Sequence, residues 1–155
     1  MGPELQQLLD RVGSTPLPVP EHLAGSLVQI AGTTVQAGFP SPAEDFNTEP
    51  IDLAKLLMPY PQSMFLLRVA GRSMEDMGIF DRDIAVVSKA IRPKHGHIVV
   101  ALIEGEFTLK QLVERFGRPR LIAGNPTFPD YVPRDGESLE IWAVVTSVVR
   151  ILVKG

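Results

Sequence analysis

The spacing of apolar positions changes along the chain, from helical near the start to strand-like beyond it. Leu5, Leu8, Leu9 and Val12 fall at i, i+3, i+4 and i+7, which predicts a short amphipathic helix over residues 3–12. Pro3 suits the first helical position and Gly13 suits the stop. A helix of this length is marginal alone. Its apolar face must therefore dock on its own domain, on a partner or on a second copy. Pro16, Pro18 and Pro20 mark residues 14–26 as an extended linker. Residues 27–36 are β-prone, with a break at Gly32. In Ala37-Gly38-Phe39-Pro40-Ser41-Pro42 the two prolines exclude helix and disfavour a central strand.

Asp52 is placed to cap a helix over Leu53 to Met58, which Pro59 and Pro61 end. Beyond it the pattern is β. Phe65, Leu67 and Val69 alternate with Leu66, Arg68 and Ala70. Ile84 to Ser88 and Ile98 to Ile103 are apolar runs of strand length. Glu104-Gly105 predicts a two-residue hairpin turn into a strand over Glu106 to Val113. Residues 120–123 and 139–153 supply further strands, the last one long and bent. Short strands at close spacing with little helix predict a compact, mostly antiparallel β domain.

Composition narrows the function classes. The 155 residues suit one domain with a real core. A formal charge of −3 gives no basic footprint for nucleic acid. Up to Ala37 the arm carries Glu4, Asp10 and Glu21 against Arg11 alone, so no direct DNA binding is expected. The absence of cysteine removes disulfides, Cys-based zinc sites and a Cys nucleophile, and fits a reducing cytoplasm. The apolar stretch 139–153 is too short and too often interrupted to cross a bilayer. No basic region followed by an apolar run opens the chain, so no secretory signal is expected.

Two residues stand out as chemistry. Ser73 lies in Gly71-Arg72-Ser73-Met74, directly after a predicted strand. Gly71 permits a sharp bend, and such a corner presents a hydroxyl and backbone N–H groups to one space. Taken alone, a serine there is more often a turn or cap residue. Lys110 sits on the predicted strand, on the face shared by Thr108 and Leu112. Solvent exposure would make it an ordinary lysine stem. Burial would lower its pKa and let a neutral amine take a serine proton, and Ser–Lys is a known variant of the serine nucleophile. His95 and His97 flank Gly96 in an expected polar turn. They lack the third ligand a zinc site needs. Asp76, Asp81 and Asp83 read as a solvated acidic loop rather than a metal site.

Taken in order, Gly71-Arg72-Ser73-Met74, Asp81-Arg82-Asp83, His95-Gly96-His97-Ile98-Val99 and Glu104-Gly105-Glu106-Phe107-Thr108-Leu109-Lys110 resemble the self-cleaving Ser–Lys protease family of LexA, UmuD and the phage repressors. Ala37-Gly38-Phe39-Pro40-Ser41-Pro42-Ala43 resembles the cleavage segment of its UmuD branch. The resemblance runs from about residue 38 to about residue 149. It implies a small antiparallel β domain, usually dimeric, with Ser73 as nucleophile and Lys110 as general base. Backbone N–H groups near Ser73 and Met74 would form the oxyanion hole, with no metal or other cofactor. It implies an arm, residues 1–37, removed by cutting between Ala37 and Gly38, then a linker over 38–50 and a protease domain over 51–155. The family often has Asp-Gly-Asp where this chain has Asp81-Arg82-Asp83, so the turn there is expected to change type.

The resemblance also implies a cytoplasmic role in the SOS response. A RecA–single-stranded DNA filament would stimulate the cut. The product would serve a UmuC-like Y-family translesion DNA polymerase, and the replication sliding clamp is a further candidate partner. A repressor would need a DNA-binding domain that the arm is too short to form. The competing readings are a dimeric interaction module with a vestigial Ser–Lys site, and a Ser–Lys peptidase acting on other proteins.

Overall fold

In the computed structural model, residues 7, 10–13, 16–19, 27–31, 37–38 and 48–153 are described. The apolar runs of strand length become the middle of a sheet. β4 (Met64–Arg68), β5 (Ile84–Ser88), β9 (Glu140–Val149) and β6 (Ile98–Ile103) lie side by side. β1 (Leu17–Pro18) flanks β4, while β7 (Glu106–Arg115) and β8 (Arg118–Ile122) extend the other edge. Every pairing in this seven-stranded sheet is antiparallel. A separate ribbon pairs β2 (Leu27–Ala31) with β3 (Thr48–Asp52). The expected antiparallel β domain is thus the observed one.

β5 has every residue buried. Alternation then divides its side chains between two cores. Ile84 and Val86 join Met64 and Leu66 on one face, and Ala85 and Val87 join Leu67, Val100 and Ala143 on the other. A third core, under β6, β7 and β8, holds Val99, Ala101, Leu112, Leu121 and Val144. β9 reaches across them by bending. Its register slips between Val86 and Val87 on β5, and between Val100 and Ala101 on β6, the signature of bulges that raise twist.

The strand ends of β5 and β6 fall where the apolar runs place them. Glu104 and Gly105 take φ of 51° and 80°, as a two-residue turn with both central residues left-handed requires. Phe116 and Gly117 repeat the device at 52° and 72°, joining β7 to β8. Asp52 caps the helix Leu53–Leu57 by accepting from the Lys55 N–H at 3.0 Å.

Three expectations need correction. Residues 14–26 are not linker throughout, because Leu17 and Pro18 pair with Leu66 and Phe65 as β1. Of the arm helix, Gln7, Asp10 and Arg11 are helical, while Leu5, Leu8 and Leu9 lie outside the described residues. Val12 is buried against its own domain with Val19, while the docking of the rest of the predicted apolar face lies outside the described residues. Second, Arg82 does not avoid the left-handed region. Arg82 holds φ 71°, pinned by its N–H to Val69 O at 2.8 Å and by Arg68 Nη1 to its carbonyl at 3.0 Å. Third, the acidic loop is not uniformly solvated. Asp83 is 1% exposed, and both its oxygens accept from Arg150, at 2.7 Å from Nε and 2.6 Å from Nη2. The Phe80 N–H donates to Asp83 at 2.8 Å, and Arg150 reaches Gly78 O at 3.1 Å.

The Arg150 pair holds the Asp83 carboxyl below the usual aspartate range. A lowered folded pKa adds stability above the unfolded pKa, and that stability is lost as pH falls through the folded value. Breaking a buried pair costs about 3–5 kcal/mol, and Arg150 is partly in water, which reduces this. Arg150→Ala should lower the urea midpoint at neutral pH, because it leaves the buried Asp83 carboxylate without its cation. In urea titrations the gap to the parent should narrow in acid. Left-handed φ costs a side chain roughly 1–2 kcal/mol, partly offset by the chain entropy a glycine adds. Arg82→Gly should therefore raise the urea midpoint slightly and Arg82→Val should lower it.

Candidate active site

Ser73 owes its position to the corner that ends β4. After Arg68 the chain continues the ladder briefly, with Val69 N–H donating to Asp83 O at 2.8 Å. Gly71, at φ 90°, then turns it, and its N–H is held by Asp81 Oδ1 at 2.7 Å. Ser73 follows, half-buried, and Met74 behind it is 1% exposed, anchoring the corner in the core. A single 3-10 turn, Glu75–Met77, closes the loop at Gly78.

A second loop braces this corner from outside. Asn125 Nδ2 donates to Arg72 O at 3.0 Å, and Asp76 N–H donates to Gly124 O at 2.6 Å. A Cβ at Gly124 would stand 2.8 Å from Met77 Cγ and 3.0 Å from Met74 Cα. Glycine is there because the two loops touch. Sequence reading did not single out Gly124 or Asn125, since only the folded chain brings them to Ser73.

Lys110 comes from β7, paired with Val99 of β6. It is half-buried, and burial pushes its amine below the ordinary lysine range, with Asp130 pulling weakly the other way. Its Nζ donates to Thr108 Oγ1 and to Leu109 O, each at 3.2 Å. Thr108 lies on the same strand face, as period two requires.

A cleft of about 120 Å³ opens between the two elements. The end of β4 and its corner form one wall, from Leu67 to Ala70 with Ser73 and Met74. Phe107, Thr108 and Leu109 form the other. Ser73 and the residues that lead into Lys110 thus share one cleft. In this conformation the Lys110 amine is turned to its own strand, and no Ser73–Lys110 hydrogen bond is formed. Among the described residues no hydrogen bond uses the Ser73 or Met74 N–H. Ala37 and Gly38 are exposed and neither lines the cleft.

The other polar candidates have structural partners. His95 Nδ1 accepts from Glu114 N–H at 2.9 Å, and His97 Nδ1 from Lys94 N–H at 3.2 Å. Both brace the turn around Gly96, as a polar turn would. Asp83, read as part of a loose acidic group, instead ties this region to Arg150. Arg150 also covers the Phe80 ring, 4.3 Å from its centroid.

Known proteins share this arrangement of sequence. The chain is 45% identical to protein MucA of Salmonella typhimurium over 113 residues, 72% of this chain and 77% of MucA. It is 42% identical to protein ImpA of Shigella flexneri over 117 residues, 74% of this chain and 78% of ImpA. A LexA repressor from Dechloromonas aromatica matches at 41% over 91 residues, 58% of this chain and 45% of the repressor. The matched stretch of a Peptidase S24-like family model covers residues 29–146, from β2 through most of β9 and including both Ser73 and Lys110, and the chain belongs to that family.

Proposed function

We propose that this chain is a self-cleaving Ser–Lys peptidase of the UmuD kind, cut between Ala37 and Gly38. The observation that carries the reading is the Ser73 corner facing the β7 wall beside Lys110, a lysine whose amine burial has already weakened as a base for protons. A neutral Lys110 accepts the Ser73 proton as Oγ attacks the Ala37 carbonyl. The N–H groups of Ser73 and Met74 hold the oxyanion. Collapse of the intermediate breaks the Ala37–Gly38 bond, and the proton passes from Lys110 to the departing Gly38 amine. Lys110 then activates a water that hydrolyses the acyl-serine ester. No cofactor takes part.

Two movements precede chemistry. The Lys110 side chain swings from Thr108 and Leu109 to Ser73, and the exposed Ala37–Gly38 segment enters the cleft. Small side chains on both sides of the bond let its backbone approach Ser73. A tethered substrate has a high effective concentration, so a slow basal rate reflects a small engaged population. In this reading a RecA–single-stranded DNA filament favours the engaged form in the cytoplasm during the SOS response. The arm is residues 1–37, and residues 38–155 as a homodimer serve a UmuC-like Y-family polymerase, with the sliding clamp a further partner.

The orientation of Lys110 Nζ away from Ser73 favours a second reading. In it the chain is a non-catalytic dimeric interaction module with a vestigial site. Intact mass after incubation at mildly alkaline pH separates the two. The self-cleaving reading expects two products meeting at Ala37–Gly38 in the parent, and whole chains in Ser73→Ala and Lys110→Ala. A parent that stays whole, with and without RecA filament, selects the interaction module.

A further inference from the structure

We infer that the edge of β4 is a strand-acceptor site for residues 12–19 of this chain, and that it retains the N-terminal fragment after the chain is cut at Ala37–Gly38. Cutting and release are then separate steps. The inference rests on the proposed cleavage for its biological setting, but the site itself is seen in the fold.

Both ends of the segment are fastened to one strand. Arg68 N–H donates to Gly13 O at 2.7 Å, and Arg68 Nε donates to Val12 O at 3.0 Å. At the other end Val19 N–H donates to Met64 O at 3.2 Å. Between them Leu17 and Pro18 oppose Leu66 and Phe65. The apolar side chains follow the backbone inward. Val12 is 4% and Val19 5% exposed, over a floor of Met64, Leu66, Ile84 and Val86. Pro18 is exposed and has no N–H to offer, so the outer edge of β1 is closed to further strands.

All of these contacts join residues 12–19 to residues 64–86. Hydrolysis of the Ala37–Gly38 bond leaves every one in place, and with them the β2–β3 pairing that also joins the fragment to residues 48–52, and removes only the tether. The tether supplies effective concentration, not contact energy. Departure of the fragment would uncover four core side chains and leave a five-residue strand with unpaired N–H and C=O groups. Loss of the fragment, not the cut, is therefore the event that changes the surface of the domain.

The test avoids the chain's own chemistry. Full-length Ser73→Ala receives the recognition sequence of a sequence-specific protease between Ala37 and Gly38 and is cut by that added protease, so its outcome is independent of self-cleavage. Native mass spectrometry and gel filtration then follow the fragment. The expected result is a one-to-one complex of the two pieces, with Val12→Asp plus Val19→Asp releasing the fragment at least about tenfold more readily. If the double variant fails to fold before cutting, exchange answers instead. A fluorescent peptide of residues 1–37 should replace the resident fragment in the cut, otherwise unmutated protein. Prompt separation of the fragment from the folded domain, equal retention in the double variant, or no peptide uptake once the resident fragment has been removed in urea and the domain refolded would each overturn the inference.

Discussion

The structure depends on burying β5 on both faces. A strand with Ile84, Ala85, Val86, Val87 and Ser88 all buried has no solvent side, so each face must find a cover. Burial of a Val or Ile side chain is worth about 1.5–3 kcal/mol, which makes an uncovered face expensive. One face is covered by the core that runs under Met74, Val100 and Ala143. The other is covered in part by Val12 and Val19, from a segment that precedes Ala37 and Gly38 in sequence. The same strand therefore supports the Ser73 corner from below and binds the arm above.

The first face fixes the corner that carries Ser73. Met74 sits in that core directly after Ser73, so the corner cannot drift without opening a cavity. Asp83, at the foot of β5, binds Arg150 just past β9 and closes the loop that follows Ser73. Gly124 and Asn125 brace the same loop from the outside. Against this fixed wall stands Lys110, half-buried, whose amine donates to Thr108 and Leu109. On the proposed reading, a fixed Ser73 and a movable Lys110 amine can be regulated by the side chain of one lysine and the path of one segment.

Much of this was legible in the sequence where the signal is local. Ile84–Ser88 and Ile98–Ile103 are continuous apolar runs, and their ends are the strand ends. Glu104-Gly105 and Asp52 act through neighbours two or three residues away, and both did as their residue types dictate. The chemical corner was marked by Gly71 beside Ser73. What escaped notice depends on distance in sequence. β1 has two residues, too few for a period, and one is proline. Arg150 meets Asp83 only because β5 and β9 are adjacent. Arg82 keeps a left-handed φ because Arg68 and Val69 hold it there, where its own steric preference argued for another turn.

The central claim is that burial readies Lys110 to act on Ser73. The measurement that tests it most directly is the rate of Ala37–Gly38 cleavage as a function of pH, from about pH 6 to about pH 11, by intact mass. On the proposed mechanism, loss of the Lys110 proton frees the amine to act as base, so the rate should rise with pH and reach a plateau below the ordinary lysine range. Replacing Asp130, whose charge favours the protonated amine, by Asn should move that rise to lower pH. A rate that is flat across the range, or that climbs without a plateau to the upper limit, would contradict the account.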